Sequence, residues 1–450
     1  MLVRFAVQNY LSFNERTEFN MLTGSPRRLP HHVYHHGDLE LLKMAAVYGA
    51  NGAGKSNFVD ALTDFKTYAL FGSELVISIM SNNRKFRLNN SSQNNPIIFE
   101  IEFIIDNEMF FYSLVIDKAI IIDEKLLLTH SSKGEELIFN RTNVDGKVEI
   151  LFNDKYKKTE QDILRIKLYE EELLKDYETL LSKLNESKEG FELVKKAYLG
   201  LFSIKSIGPE FSVSNLMFSD ANIFNFIKDY TKRFNTGVDG FEIQTFTFEQ
   251  FFGENYKEIK DRIKAELSHK EEVDFNNFMG GKSNKSKTIA TIENGLYVIK
   301  KLSTFHLNKN GDKFIFDTYE ESDGSVRLWD ILVSIYFAIH EEGIILIDEI
   351  ERSIHPNLIK ELITKFSEHK GTKGQLIFTT HESNLLDQEI FRQDEIWFAE
   401  KNTEGATEMY PMSDFDVRYD LDVRKGYLNG RFGAIPFLSD FKNLNWKANA

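Results

Sequence analysis

"AAVYGANGAGKSNF", residues 45–58, joins an apolar run to a glycine-rich loop that ends in lysine and serine. The pattern Gly49-x-x-x-x-Gly54-Lys55-Ser56 divides its work among residue types. Glycines let successive backbone N–H groups turn toward phosphate oxygens, a lysine reaches the β- and γ-phosphates, and a hydroxyl is offered to Mg²⁺. Met44 to Tyr48 reads as a short buried strand and Ser56 to Lys66 as a helix, so the positive helix end would face the phosphates. Gly49, Asn51, Gly52, Ala53, Gly54, Lys55, Ser56 and Asn57 are therefore the candidate nucleotide-binding residues, with ATP and Mg²⁺ the expected ligands. A second Gly281-Lys282-Ser283, in "NNFMGGKSNKSKT", has Asn276 where the first glycine belongs and no strand leading in; it reads as a basic surface loop.

The 450 residues could hold two or three domains, or one ATPase core carrying an insertion. A hydrophobic content of 42% is enough for a large core. No apolar run of about 18 residues and no secretory signal pattern is present, so neither a membrane span nor export is expected. The absence of cysteine removes disulfides, thiolate metal sites and cysteine nucleophiles, and fits a cytoplasmic location. A formal charge of −14 argues against a global electrostatic grip on DNA, although a local basic groove is compatible with it.

Strand-like runs at Leu2 to Val7 and Thr17 to Leu22 bracket "QNYLSFNER". "LPHHVYHHGD" reads as a loop between Pro30 and Gly37, and its histidines (His31, His32, His35, His36) lack the accompanying carboxylate of a metal site. From Pro96 to Ile150 the period is two, with runs at Ile97–Ile105, Met109–Ile116, Ala119–Leu128 and Lys147–Phe152, which predicts an antiparallel sheet. Leu173, Tyr177, Leu181 and Leu184 recur at helical spacing and predict a helix of roughly 30 residues, about 45 Å long. The expected division is an N-terminal ATPase lobe at 1–154, a mainly helical insertion at 155–290 and a C-terminal ATPase lobe at 291–450.

Hydrolysis needs a metal-holding carboxylate and a group that positions water. In "GIILIDEIERSIHP", Ile344 to Ile347 reads as a buried strand, Asp348 at its end would hold Mg²⁺, and Glu349 beside it would polarise the attacking water. "ESDGSVRLWDIL" puts Ser322 and Gly324 at the start of an amphipathic helix, and "QLIFTTHES" carries His381 at a strand end. In this order the pieces resemble the ABC-type ATPase head: Walker A, signature motif, Walker B with its glutamate, and switch histidine. The resemblance implies an α/β P-loop head with an antiparallel β subdomain. It also implies homo-oligomers whose ATP sites are composite, with Ser322 and Gly324 of one copy closing on the nucleotide of another, and His381 catalytic beside Glu349.

Asp323 stands where transporter heads have glycine, and Gln93 lies in the region expected of a Q-loop. "NYLSF" and the wide Walker A to Walker B spacing are more similar to SMC-type and OLD-type heads. "RKGYLNGRFGAIP" is similar to the tail of ATPases in bacterial anti-phage systems such as PARIS and Septu. This resemblance implies a sensor or scaffold controlling a separate toxin or nuclease effector, a TOPRIM nuclease for example, when a phage protein or DNA appears. The alternative is an OLD- or SMC-like ATPase acting directly on nucleic acid. The pairs Asp414/Asp416 and Asp420/Asp422 read as surface or capping carboxylates rather than a TOPRIM site, since only about 70 residues follow the His381 strand.

Overall fold

The computed structural model describes residues 1–24, 28–72, 84–130, 134–144, 146–187, 190–207, 217–218, 220–234, 236–253, 256–278, 287–415, 417–419 and 421–435. The chain forms two compact units: residues 1–206, 342–348 and 367–450, and residues 207–341 with 349–366. Gly281-Lys282-Ser283, Asp416 and Asp420 lie outside the described residues.

The first unit contains two large sheets. One has six strands in the spatial order Ile204–Ile207, Ile344–Ile347, Gln375–Thr380, Met44–Tyr48, Ile396–Lys401, Thr407–Pro411. Its four central strands carry near-continuous apolar runs, as expected of strands covered on both faces. Gln375–Thr380 pairs in parallel with both Ile344–Ile347 and Met44–Tyr48, and Ile396–Lys401 pairs in parallel with Met44–Tyr48. The loops that follow these strands therefore emerge at one end of the sheet.

The other sheet is antiparallel and seven-stranded, running from Lys147–Phe152 through Gly134–Val144, Ile120–His130, Glu108–Asp117, Ile97–Ile105 and Leu2–Gln8 to Thr17–Asn20. The expected sheet is present, with Gly134–Val144 as an additional strand. Helix Lys55–Phe71 shares one core with both sheets. Phe58 packs on Phe5 and Phe19 at ring distances of 6.3 and 4.8 Å, and Phe65 on Phe5, Phe99 and Tyr112. Ala45, Val47, Leu346 and Ile377 of the parallel sheet belong to the same cluster. Each such fully buried aromatic side chain contributes about 1.5–3 kcal/mol. The Gln375 amide stitches the sheets together, donating to the Leu2 and Leu42 carbonyls at 3.0 and 2.9 Å.

The helix of roughly 30 residues expected on Leu173, Tyr177, Leu181 and Leu184 is absent among the described residues; its region holds Glu160–Leu168, a single π turn at Tyr169–Leu173, Leu180–Asn185 and Glu192–Phe202. Buried charge explains the break. The Arg141 guanidinium takes the carbonyls of Lys175 and Asp176, while the Glu124 carboxylate accepts the N–H groups of Leu180 and Leu181 at 2.7 and 2.9 Å. These contacts hold residues 174–179 out of the helix and start a new one, although Leu181 and Leu184 are buried as their spacing implied. Residues 155–206 thus belong to the first unit, and the single insertion expected at 155–290 is divided.

The second unit is no helical bundle either. It holds an antiparallel sheet in the order Gly240–Thr247, Leu296–Leu307, Thr288–Glu293, Glu272–Asp274, with Lys313–Asp317 also paired to Leu296–Leu307. Helices Phe248–Phe252 and Lys257–Leu267 cover a core of Phe248, Phe252, Ile263, Leu267, Val273, Ala290 and Ile299. Helix Asp323–His340 is buried along most of its length, and its Trp329 meets Phe241 edge to face at 5.1 Å.

Candidate nucleotide site

The loop Gly49–Gly54 joins strand Met44–Tyr48 to helix Lys55–Phe71, as its motif implied. Its glycines are there for different reasons. Gly52 has φ +78° with open space around the position of a Cβ, and Gly54 has φ +109° with the Thr407 hydroxyl 2.1 Å from where a Cβ would stand. No side chain caps the helix at Gly54 and its first turn has no acidic residue. Ser56 is exposed at this positive end, beside exposed Asn51 and Gly52, whereas Ala53 is buried and Asn57 half-buried. The arrangement fits an anion held by backbone N–H groups.

Lys55 is buried, and its ammonium donates to the carbonyls of Gly49 at 2.9 Å and Ala50 at 3.1 Å. It also lies 3.3 Å from Nδ1 of His381. An ammonium has protons only to give, so Nδ1 of His381 offers its lone pair and the ring proton is on Nε2. The neighbouring strand therefore brings His381 to the loop. One strand further along, buried Asp348 ends Ile344–Ile347, and its Oδ1 accepts from the Thr379 hydroxyl at 2.5 Å. Loop, histidine and aspartate thus sit at the carboxyl ends of three adjacent parallel strands, where open α/β sheets take their ligands. When bound, Mg²⁺ would supply charge neutralisation for phosphate oxygens; Ser56 and Asp348 are the residues that would hold it.

A clasp beneath the loop has no counterpart in the motif. Thr407 donates its backbone N–H to the Ser12 carbonyl at 2.7 Å, and its hydroxyl lies 2.8 Å from both the Ala53 carbonyl and the Ser12 hydroxyl. Asn57 donates to the same Ser12 hydroxyl at 2.7 Å, and Lys401 to that of Thr407 at 3.0 Å. Ser12 lies in "NYLSF", between Leu11 at φ +47° and the short strands, and Tyr10 beside it donates to Asp64 at 2.7 Å. Burial, then the Asp64 charge, raises the Tyr10 hydroxyl well above its ordinary value, so it is a fixed donor. Only "NYLSF" gave a signal for this clasp; nothing around Thr407 marks it in the sequence. Gln93 uses its amide on the Phe86 carbonyl at 2.8 Å.

In the second unit, Ser322 caps helix Asp323–His340 by accepting from Ser325 N–H at 3.1 Å. Gly324 approaches the Ser353 carbonyl so closely that a Cβ would stand 2.5 Å from that oxygen. Glu349 has φ +49°, a left-handed conformation costly for a side chain with a Cβ, and its carboxylate is 4.0 Å from Arg352. In the first unit, His32 is buried with its Nδ1 at 2.9 and 3.0 Å from the two Glu395 oxygens. Asp422 caps Val423–Leu428 through Lys425 N–H at 2.8 Å, and Asp414 is exposed.

A P-loop strand separated by one histidine-bearing strand from a strand ending in aspartate defines an ABC-type P-loop ATPase fold. Residues 44–387 match the family described as "AAA domain, putative AbiEii toxin, Type IV TA system", and the chain belongs to that family. No curated protein matches it. Among solved structures, the SMC head domain from Thermotoga maritima is similar at 12% identity and TM-score 0.36, over 91% of this chain and 98% of that one. An Smc head bound to the C-terminal winged-helix domain of ScpA is similar at 13% identity and TM-score 0.40, over 91% and 97%. The Pyrococcus furiosus Smc head with an extended coiled coil is similar at 12% identity and TM-score 0.39, over 96% and 98%. Among the described residues no helix is long and apolar enough to cross a membrane.

Proposed function

We propose that this chain is a cytoplasmic ATPase that binds Mg-ATP on residues 49–57. Hydrolysis follows once a second copy presents the Ser322–Gly324 end of its helix. The observation that carries the reading is the convergence of Lys55, His381 and Asp348 at three adjacent strand ends. In it Lys55 binds phosphate, Asp348 and Ser56 orient the metal, Glu349 accepts a proton from the attacking water, and His381 contacts the terminal phosphate. The ATPase cycle acts as a sensor or scaffold that controls a separate toxin or nuclease effector, such as a TOPRIM nuclease, in anti-phage defence, with a phage protein or DNA as trigger. Support comes from the resemblance to anti-phage ATPases, with AriA of PARIS as the nearest suggestion and PtuA of Septu the other. The family description, which speaks of a toxin–antitoxin system, agrees with a two-component arrangement.

The test is mass in solution together with ATP turnover. Glu349→Gln should lower turnover by about 10²–10⁴-fold while strengthening an ATP-dependent assembly. Lys55→Ala should weaken nucleotide binding by roughly ten- to a hundredfold, the size of a charged hydrogen bond. Wild-type turnover in Glu349→Gln would overturn the catalytic assignment, and a single-chain mass with Mg-ATP would overturn the composite site. Direct action on nucleic acid is the second reading; turnover stimulated by added plasmid DNA would favour it, against the net charge of −14.

A further inference from the structure

The strand Lys313–Asp317, "KFIFD", is an edge. Among the described residues it pairs on one side only, with Leu296–Leu307. Phe314, Ile315 and Phe316 are 53, 47 and 37% exposed, and Leu307 and Tyr319 beside them are 49 and 51% exposed. Alternation puts Phe314 and Phe316 on one face and Ile315 on the other, so both faces of this edge are apolar and wet. Soluble proteins usually protect such an edge with proline, a bulge or an inward charge. The centre of this one has none of these.

Its charges are arranged with opposite sign at the two ends. Antiparallel self-pairing about Ile315 sets Lys313 opposite Asp317 of the other copy and Asp317 opposite its Lys313, with Phe314 against Phe316. Parallel pairing in register would instead set lysine beside lysine and aspartate beside aspartate. Within one chain, Asp317 is already paired to Lys301 and Lys313 to Glu242. Across an antiparallel junction the row would therefore read Lys301, Asp317, then Lys313 and Glu242 of the second copy, alternating in sign throughout. Directly opposed charges of opposite sign and facing aromatic side chains are the pairs that stabilise antiparallel strands.

We infer that strand Lys313–Asp317 is an interface between two copies of this chain, which pair it antiparallel about Ile315 into one continuous sheet without nucleotide. The inference does not depend on the ATPase reading, since it uses neither the P-loop nor the Ser322 helix end.

Charge exchange provides the test, read as mass by sedimentation over a concentration series in nucleotide-free buffer. The wild type should approach twice the 52.3 kDa of one chain. Asp317→Lys places lysine against lysine and Lys313→Asp places aspartate against aspartate, so each variant alone should remain at one chain's mass. Mixed together they complement each other and should recover the doubled mass, as should the chain carrying both exchanges. Circular dichroism of each variant establishes that it is folded before mixing. A wild type at single-chain mass, single variants that still double, or folded single variants that do not associate on mixing would each overturn the inference. An assembly that appears only with Mg-ATP would belong to the composite nucleotide site and would also count against it.

Discussion

At Gly324 there is no room for a side chain. A methyl group there would press on the Ser353 carbonyl, whose own residue is already left-handed at φ +62°. Gly324→Ala should cost about 1–3 kcal/mol, the usual penalty of overpacking, seen as a lower melting temperature. Under the composite-site reading it should also abolish the gain in mass with Mg-ATP. A variant that melts and assembles like the wild type would count against both statements. The sequence announced Gly324 and Ser322 by their place before an amphipathic helix, but not the reason for the glycine, because Ser353 is remote in the chain. Glu349 is a similar case: its identity was legible beside Asp348, its left-handed backbone was not.

Elements formed by uninterrupted local patterns were read from sequence most faithfully. Met44–Tyr48 matches its expected bounds, and the helix expected from Ser56 to Lys66 runs from Lys55 to Phe71. Residues 155–206 depart from a continuous helix because two buried side chains of the antiparallel sheet, Glu124 and Arg141, claim backbone groups in the middle of a helical repeat; periodicity carries no information about such distant partners. His32 and Glu395 join elements in a comparable way, tying the 30–36 segment to the short turn at 393–395. Burial, opposed by the hydrogen bond from His32, raises the Glu395 carboxyl above its ordinary 4.5. The folded chain then holds that proton to a higher pH than the unfolded chain. The stability it contributes is complete below 4.5 and is lost as pH rises through the raised folded value. Melting temperature measured against pH should therefore fall less steeply above 4.5 in Glu395→Gln than in the wild type; equal slopes would show that this carboxyl is not the source.

Among the described residues, one large apolar core is shared by the two large sheets and a separate one lies under the second unit's sheet. Denaturant unfolding should accordingly depart from a single two-state transition. Leu346→Ala and Ile299→Ala, each about 2–5 kcal/mol destabilising, should shift different transitions; one transition moved equally by both would mean that the units unfold together. The division at this scale was the least legible in the sequence, because the chain leaves the first unit near Ser206 and returns to it twice.

That returning path also sets an order on synthesis. The loop strand Met44–Tyr48 is made well before its neighbours: the strands that flank it on both sides, Gln375–Thr380 and Ile396–Lys401, and Thr407 that clasps its loop all come much later in the chain. At about 5–20 residues per second, the roughly 330 residues in between occupy a ribosome for on the order of 15–70 s. Through that interval the nascent chain carries its nucleotide motif with neither neighbouring strand nor clasp. The site can mature only once residues 375–407 have been made, so a chain terminated before them would possess the motif but not a working cradle.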